Sequence, residues 1–122
     1  MVDRLLYLID DDDAARDSTS FLLDVKGYRV ESFASAEEFL EAAPAPQAPI
    51  LTDVLLPGIS GLQLLEKLRS AGCRVPVALV SAHANEAVKN RVGAAGAVCL
   101  LQKPIAPELL LETVEYCFEQ TG

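Results

Sequence analysis

With 122 residues, the chain has room for one well-filled core and not for two. Eighteen acidic against ten basic residues leave a formal net charge of -8, which repels phosphate backbones. That argues against direct nucleic-acid binding and suits a metal cation or a basic patch on a partner.

Hydrophobic residues make up 51% of the chain, with no tryptophan, so the core is expected to be built of Leu, Val, Ala and Ile. Cys73, Cys99 and Cys117 are odd in number, widely spaced and form no CxxC pair. They indicate neither a disulfide framework nor a zinc site, and a reduced, cytoplasmic setting is expected. The N-terminal apolar stretch stops at Asp10, too short for a signal peptide or a membrane span.

Leu5–Ile9 predicts a buried strand ending in the acidic run Asp10-Asp11-Asp12-Asp13. A helical pattern follows, with Ala15, Ser18, Leu22 and Val25 on one stripe, Ala14 and Phe21 beside it, and Gly27 as its stop. Tyr28–Phe33 predicts a strand nearer the sheet edge, with Arg29 and Glu31 facing one way. Ser35-Ala36-Glu37-Glu38 reads as a capping box opening a helix to about Ala43. The connector from Pro44 to Pro49 is Pro-rich, and no helix crosses it.

The next stretch, Ile50-Leu51-Thr52-Asp53-Val54-Leu55-Leu56-Pro57-Gly58, is an apolar run with one acid near its end and a turn signal after it. A carboxylate is costly there unless compensated, so Asp53 is either a reactive group at the mouth of a site or a turn-initiating acid. Ser60-Gly61-Leu62-Gln63 is a second capping-box pattern, opening a helix with Leu64, Leu65 and Leu68 that stops at Gly72. Val75–Val80 predicts a strand, Asn85–Val92 a less apolar helix, Gly93–Gly96 a turn and Ala97–Leu101 a strand. After Lys103-Pro104 comes a last helix with Pro107 in its first turn and Leu110, Val114 and Cys117 inward. Such alternation of strand and helix argues for an α/β fold, a doubly wound parallel sheet with helices on both faces.

In a parallel sheet the strand ends share one edge, where Asp10, Asp11, Asp53, Ser81 and Lys103 would converge. Clustered carboxylates raise one another's pKa. A hard divalent cation relieves that repulsion, and magnesium leaves room for water and phosphate oxygens. An amine and a hydroxyl beside it suit an incoming phosphoryl group, and Asp is a covalent phosphoryl acceptor. The chemistry these residues imply is metal-assisted phosphorylation of Asp53. Asp12 and Asp13 fit helix capping and dipole compensation better than metal binding. His83 lies two residues past Ser81, near the rim.

Along essentially its whole length the chain resembles the receiver domains of two-component response regulators. The resemblance is carried by Ile9-Asp10-Asp11, Thr52-Asp53 through Ser60-Gly61, Val80-Ser81-Ala82, Gly93-Ala94-Ala95-Gly96-Ala97 and Lys103-Pro104. It implies a single receiver domain over 1–122 with the flavodoxin-like five-stranded sheet, order 2-1-3-4-5. It implies Asp53 as acceptor of a phosphoryl group from a sensor histidine kinase. Asp10, Asp11, Asp53 and the carbonyl of Leu55 would hold Mg2+, while Lys103, Ser81 and Ala82 would meet the phosphoryl oxygens. A cis Lys103-Pro104 peptide is expected, with an output domain or downstream protein as target and a homodimer on phosphorylation. The Thr52-Asp53 pair, Ser60-Gly61 and His83 are similar to receivers attached to helix-turn-helix output domains. The chain ends just after its last helix, which fits a stand-alone receiver or one parted from its output domain.

Two positions depart from the family pattern. Leu100 stands three residues before Lys103, where an aromatic ring is usual, which puts the coupling from Ser81 to the surface in doubt. Leu55 stands two after Asp53, where a polar or basic side chain is common, and predicts slow loss of the phosphoryl group. The reading is a signalling switch and not an enzyme with turnover. The competing readings are an interaction module of the same fold not regulated by phosphate, and a phosphatase of the haloacid-dehalogenase type. The second needs another acid two residues after the nucleophile, where Leu55 stands.

Overall fold

The computed structural model describes residues 4–44 and 46–121. Ala45, in the Pro-rich connector, therefore lies outside the described residues. Strands β1 (Leu5–Ile9), β2 (Arg29–Phe33), β3 (Ile50–Asp53), β4 (Val77–Ser81) and β5 (Cys99–Gln102) alternate with helices α1 (Asp13–Val25), α2 (Ala36–Ala42), α3 (Gly61–Ser70), α4 (Glu86–Ala94) and α5 (Pro107–Thr121). All pairings are parallel, in the order β2-β1-β3-β4-β5. The expected topology is the observed one.

The central strands β3 and β4 are buried at every residue, which is why they read as unbroken apolar runs rather than alternating ones. Edge strand β2 is mostly exposed, with only Val30 and Phe33 half-buried and Arg29 and Glu31 paired at 3.6 Å. One core packs α1 and α5 on one face of the sheet through Leu6, Leu8, Leu23, Leu51, Leu110, Val114 and Cys117. The other packs α2, α3 and α4 through Ile9, Phe39, Ile50, Leu64, Leu65, Leu79 and Val92. Among the described residues no helix is long and apolar enough to cross a membrane. The three cysteines are free, with Cys117 buried in the core and Cys73 and Cys99 half-buried.

The helix starts follow local chemistry. Asp12 caps α1, accepting from Ala15 N at 3.1 Å, and Asn85 caps α4 through Val88 N. Ser60 and Gln63 form a complete capping box on α3. At α2 only half of the expected box forms. Ser35 accepts from Glu38 N, but the Glu38 carboxylate reaches one residue further back, to Ala34 N.

Two further expectations need correction. The buried face of α1 carries Leu23, fully covered, with Ala15, Thr19 and Leu22 half-covered; Val25 and Phe21 are 62% and 71% exposed, and Ser18 is exposed. The rotation differs because Arg16 is drawn inward, its guanidinium donating to the carbonyl of Asp10. With Arg16 and Leu23 turned toward the sheet, a 100° step per residue leaves Phe21 and Val25 outward. Secondly, α4 continues through Gly93 and Ala94, and the reversal is made by Gly96 at φ +91°.

The segment from Asp53 to α3 holds the two glycines that the backbone demands. Gly58 sits at φ +75°, with the Glu37 carboxylate against it and bonded to Ile59 N at 3.1 Å. Gly61 donates to Val54 O, and a Cβ on it would lie 2.0 Å from the carbonyl oxygen of Asp53. Helix α3 can therefore start directly beneath the end of β3 only because residue 61 has no side chain.

Candidate functional site

The register brings Ile9 opposite Thr52, Asp53 opposite Val80 and Ser81 opposite Gln102, so the four strand ends form one rim. Asp10, Asp11, Asp53, Leu55, Ser81, Ala82 and Lys103, together with Asp12 and Val80, line a single pocket of about 340 Å3 there. Every residue singled out from the sequence for the site is thus in one place.

Asp53 is 8% exposed, at the end of a fully buried strand. The Lys103 ammonium bridges its two oxygens at 3.0 and 3.1 Å and stands 3.7 Å from Asp10. The Lys103 side chain arrives from the turn after β5, where Lys103 N donates to Ser81 O and the Lys103-Pro104 peptide is cis. Asp10 is 5% exposed, its carboxylate accepting from Asp12 N at 2.9 Å, while Asp11 is exposed. One oxygen from each of Asp10, Asp11 and Asp53 can be chosen so that all lie within 4.8 Å of one another.

Three carboxylates face one ammonium, and the imbalance shows in the acid at the centre. Burial, with the neighbouring Asp10 adding to it, pushes the Asp53 carboxyl up to about 7 against the pull of Lys103. Burial disfavours the Lys103 charge, yet Asp53 and Asp10 outweigh it and hold the ammonium above its ordinary value. An all-oxygen donor set short of positive charge is what a hard divalent cation such as Mg2+ fits, and it leaves coordination positions open to water or phosphate.

Ser81 is 6% exposed, and its hydroxyl accepts from His83 N at 3.0 Å. That bond closes the turn after β4 through an oxygen lone pair and leaves the hydroxyl proton to be donated elsewhere. The imidazole of His83 is on the exposed side, and its connection to the rim is through its backbone N–H. Leu55 is 71% exposed at the pocket edge, an apolar side chain among acids. Leu100 is half-buried on the face that carries α4.

Two features escaped the sequence reading. Arg16 donates to Asp10 O at 2.8 Å and to the Asp13 carboxylate at 2.6 Å, with its side chain only 17% exposed. The signal was present as a lone basic residue following an acidic run. The second is a cleft of about 540 Å3 between α1 and the β5–α5 connection, walled by Ala15, Ser18, Leu22, Pro104, Ile105 and Pro107 and reaching Asp53 and Lys103. It depends on how two distant elements are spaced, which no local pattern encodes.

Comparison with known proteins adds independent support. The response regulator receiver domain family matches residues 6–115. The transcriptional regulatory protein FixJ of Bradyrhizobium diazoefficiens is 34% identical over 116 residues, covering 94% of this chain and 57% of the relative. FixJ of Azorhizobium caulinodans is 37% identical over 110 residues, covering 89% of this chain and 52% of the relative. The chain thus spans a little over half the length of these relatives. The crystal structure of a CheY-like receiver domain protein from Methanospirillum hungatei superimposes with a TM-score of 0.90 at 30% identity, covering 98% of this chain and 97% of that one.

Proposed function

Since the chain belongs to the response regulator receiver domain family, we propose that residues 1–122 act as one receiver domain whose switch is phosphorylation of Asp53. The observation that carries this is the ammonium of Lys103 bridging both oxygens of a buried Asp53 beside two further carboxylates. An Asp53 oxygen attacks the phosphorus of a phosphohistidine on a sensor histidine kinase. The new O–P bond forms as the P–N bond breaks, and the imidazole leaves with the electron pair. Lys103 then exchanges the Asp53 oxygens for phosphoryl oxygens, and the Ser81 hydroxyl swings in to donate to one of them. In this reading the backbone N–H of Ala82, a residue of the pocket wall, donates to another.

Asp10, Asp11, Asp53 and the Leu55 carbonyl are the groups that would hold Mg2+. When bound, the ion neutralises charge on the transferring phosphoryl group. The residues themselves dictate the rest: burial excludes bulk water, and the hydrogen bond from Asp12 N aims Asp10. The cleft between α1 and the β5–α5 connection suits an apolar element of the donor laid against it, with its phosphohistidine directed at Asp53. We assign the domain to the cytoplasm, where its free thiols are at home. An output domain or partner reads the phosphorylated state, and a homodimer formed on phosphorylation belongs to the same reading.

The test is intact mass spectrometry after incubation with Mg2+ and acetyl phosphate. A single phosphoryl adduct that is absent in Asp53→Asn is expected. Inorganic phosphate released over many turnovers would instead indicate a phosphatase. No adduct at all would indicate an interaction module indifferent to phosphate, a reading that the complete acceptor set opposes and that Leu100, in place of an aromatic ring, keeps open.

A further inference from the structure

We propose that Arg16 is a positioning residue for the metal-holding acids, acting through the peptide that joins Asp10 to Asp11; the inference rests on the phosphoryl-acceptor reading above. The backbone around Asp10 is held at each polar group. Its N–H donates to Phe33 O at 3.1 Å, its carboxylate accepts from Asp12 N, and its carbonyl accepts from Arg16 at 2.8 Å. The first two bonds belong to the end of β1 and the start of α1. Of the three donors, only the third is a side chain.

The Asp10 carbonyl and the Asp11 N–H lie in one rigid plane. A donor that fixes the carbonyl therefore fixes the direction in which Asp11 leaves the strand. No hydrogen bond or ion pair among the described residues holds the Asp11 carboxylate itself, which is exposed. Its placement within 4.8 Å of its two neighbours thus depends on its backbone, and Arg16 is what clamps that backbone from the helix side. The guanidinium fork suits this task, because one nitrogen serves the carbonyl while the other is anchored by Asp13 at 2.6 Å. A lysine offers a single nitrogen for both jobs.

The inference separates from simple electrostatics by its sign. A positive charge beside an acidic site weakens the binding of a divalent cation, so loss of that charge alone tightens Mg2+ binding. Positioning predicts the reverse. Outer-sphere partners of metal ligands are worth about 10- to 100-fold in affinity, and a partner acting through a single peptide is expected at the low end, about 5- to 10-fold.

Isothermal titration calorimetry of the full chain with MgCl2 reads this directly. The expected result is a Kd for Mg2+ raised about 5- to 10-fold in Arg16→Gln. In Arg16→Lys, which keeps the charge and loses the fork, a rise of about 3-fold or more is expected. Should Arg16→Gln not fold, as judged by circular dichroism, Arg16→Lys carries the test alone. Adduct formation from acetyl phosphate, reduced at limiting Mg2+, is expected to return when Mg2+ is raised. Unchanged or tighter Mg2+ binding in the variants, or a defect that excess Mg2+ does not restore, overturns the inference while the wild-type adduct leaves the parent reading standing. A wild-type chain that binds no Mg2+ overturns both.

Discussion

The two ends of the sheet handle charge in opposite ways. At the end where β1 and β2 begin, Arg4, Tyr28, Glu115 and Phe118 form a clasp in which each polar group has a partner. The Arg4 guanidinium pairs with Glu115, donates to the Tyr28 hydroxyl at 2.9 Å and lies 4.2 Å over the Tyr28 ring; that hydroxyl donates to Glu115. One acid meets one base and one phenol, and the acid is held below its ordinary pKa, chiefly by the Tyr28 hydroxyl. At the opposite end, three acids meet Lys103, and Asp53 is driven up to about 7. A finished structural site satisfies its charges internally. The rim leaves a deficit of positive charge, which marks it as a place where something else must bind.

The comparison breaks most visibly if the rim loses the Lys103 ammonium. Lys103→Met leaves Asp53 and Asp10 buried without a cation. Removing one partner of a fully buried pair costs about 3–5 kcal/mol. Lys103 is 35% exposed, so about 2–3 kcal/mol is expected, since solvent screens part of the loss. Urea unfolding at pH 8 without Mg2+ measures it. The cost should shrink toward pH 5, where Asp53 carries a proton in either protein. A cost below about 0.5 kcal/mol at pH 8 would mean that the rim is not under the electrostatic load described.

Removing the central charge should have the opposite sign. Asp53 has a folded pKa of about 7 against an ordinary value of 3.8. Between these values the native state keeps a proton that the unfolded chain has released, so its stability falls as pH climbs from about 4 to about 7. Above that the penalty is complete. Asp53→Asn removes it and should therefore stabilise the metal-free protein by about 1–2 kcal/mol at pH 8, solvent at the open mouth having screened part of the shift. The gain should vanish near pH 4. Saturating Mg2+ should stabilise the wild type at pH 8 and do little for the Asn variant. A variant less stable than wild type at pH 8 would contradict this account.

The same contrast explains what could be read before folding. The rim was legible because its residue types are costly where they stand: an acid at the end of the buried run Ile50–Asp53 and a lysine before Pro104 both need a reason. The parallel sheet followed from alternation with helices, and its strand order from the resemblance to receiver domains. The clasp was not legible, since Arg4 and Glu115 are 111 residues apart and each is ordinary alone. The rotation of α1 was lost because Phe21, Leu22 and Leu23 are adjacent apolar residues that support more than one inward face, and Arg16 decided among them. The end of α4 was misplaced because Gly93 is a stop signal that an exposed helix can override.

Leu55 sharpens the contrast on the rim itself. It is the apolar member of a polar edge, 71% exposed, and cannot hydrogen-bond a water that would attack an acyl phosphate. Leu55→Gln supplies such a group without adding charge. The phosphorylated domain should lose its phosphoryl group about 3- to 10-fold faster, a change of about 1 kcal/mol in barrier. Decay of the intact-mass adduct after removal of phosphodonor gives the rate. Wild-type loss within seconds, or an unchanged rate in the variant, would show that Leu55 does not control the attacking water.

The smallest effect is expected at the clasp. Glu115 is exposed and screened, so Glu115→Gln should cost only about 0.5–1 kcal/mol at pH 7, most of it from a weakened bond to Tyr28 and Arg4. The sign with pH is the reverse of that at Asp53. The folded pKa of Glu115 is depressed, so its contribution is complete above the unfolded value of about 4.5 and is lost only as pH falls through the folded one. Between about pH 5.5 and 7 the difference between wild type and Glu115→Gln should therefore be flat, while that for Asp53→Asn still climbs steeply. Thermal unfolding of both variants across that range, without Mg2+, sets the two ends side by side. A slope at Glu115 as steep as at Asp53 would mean that the clasp, too, carries an uncompensated charge, and the charge deficit would no longer single out the rim.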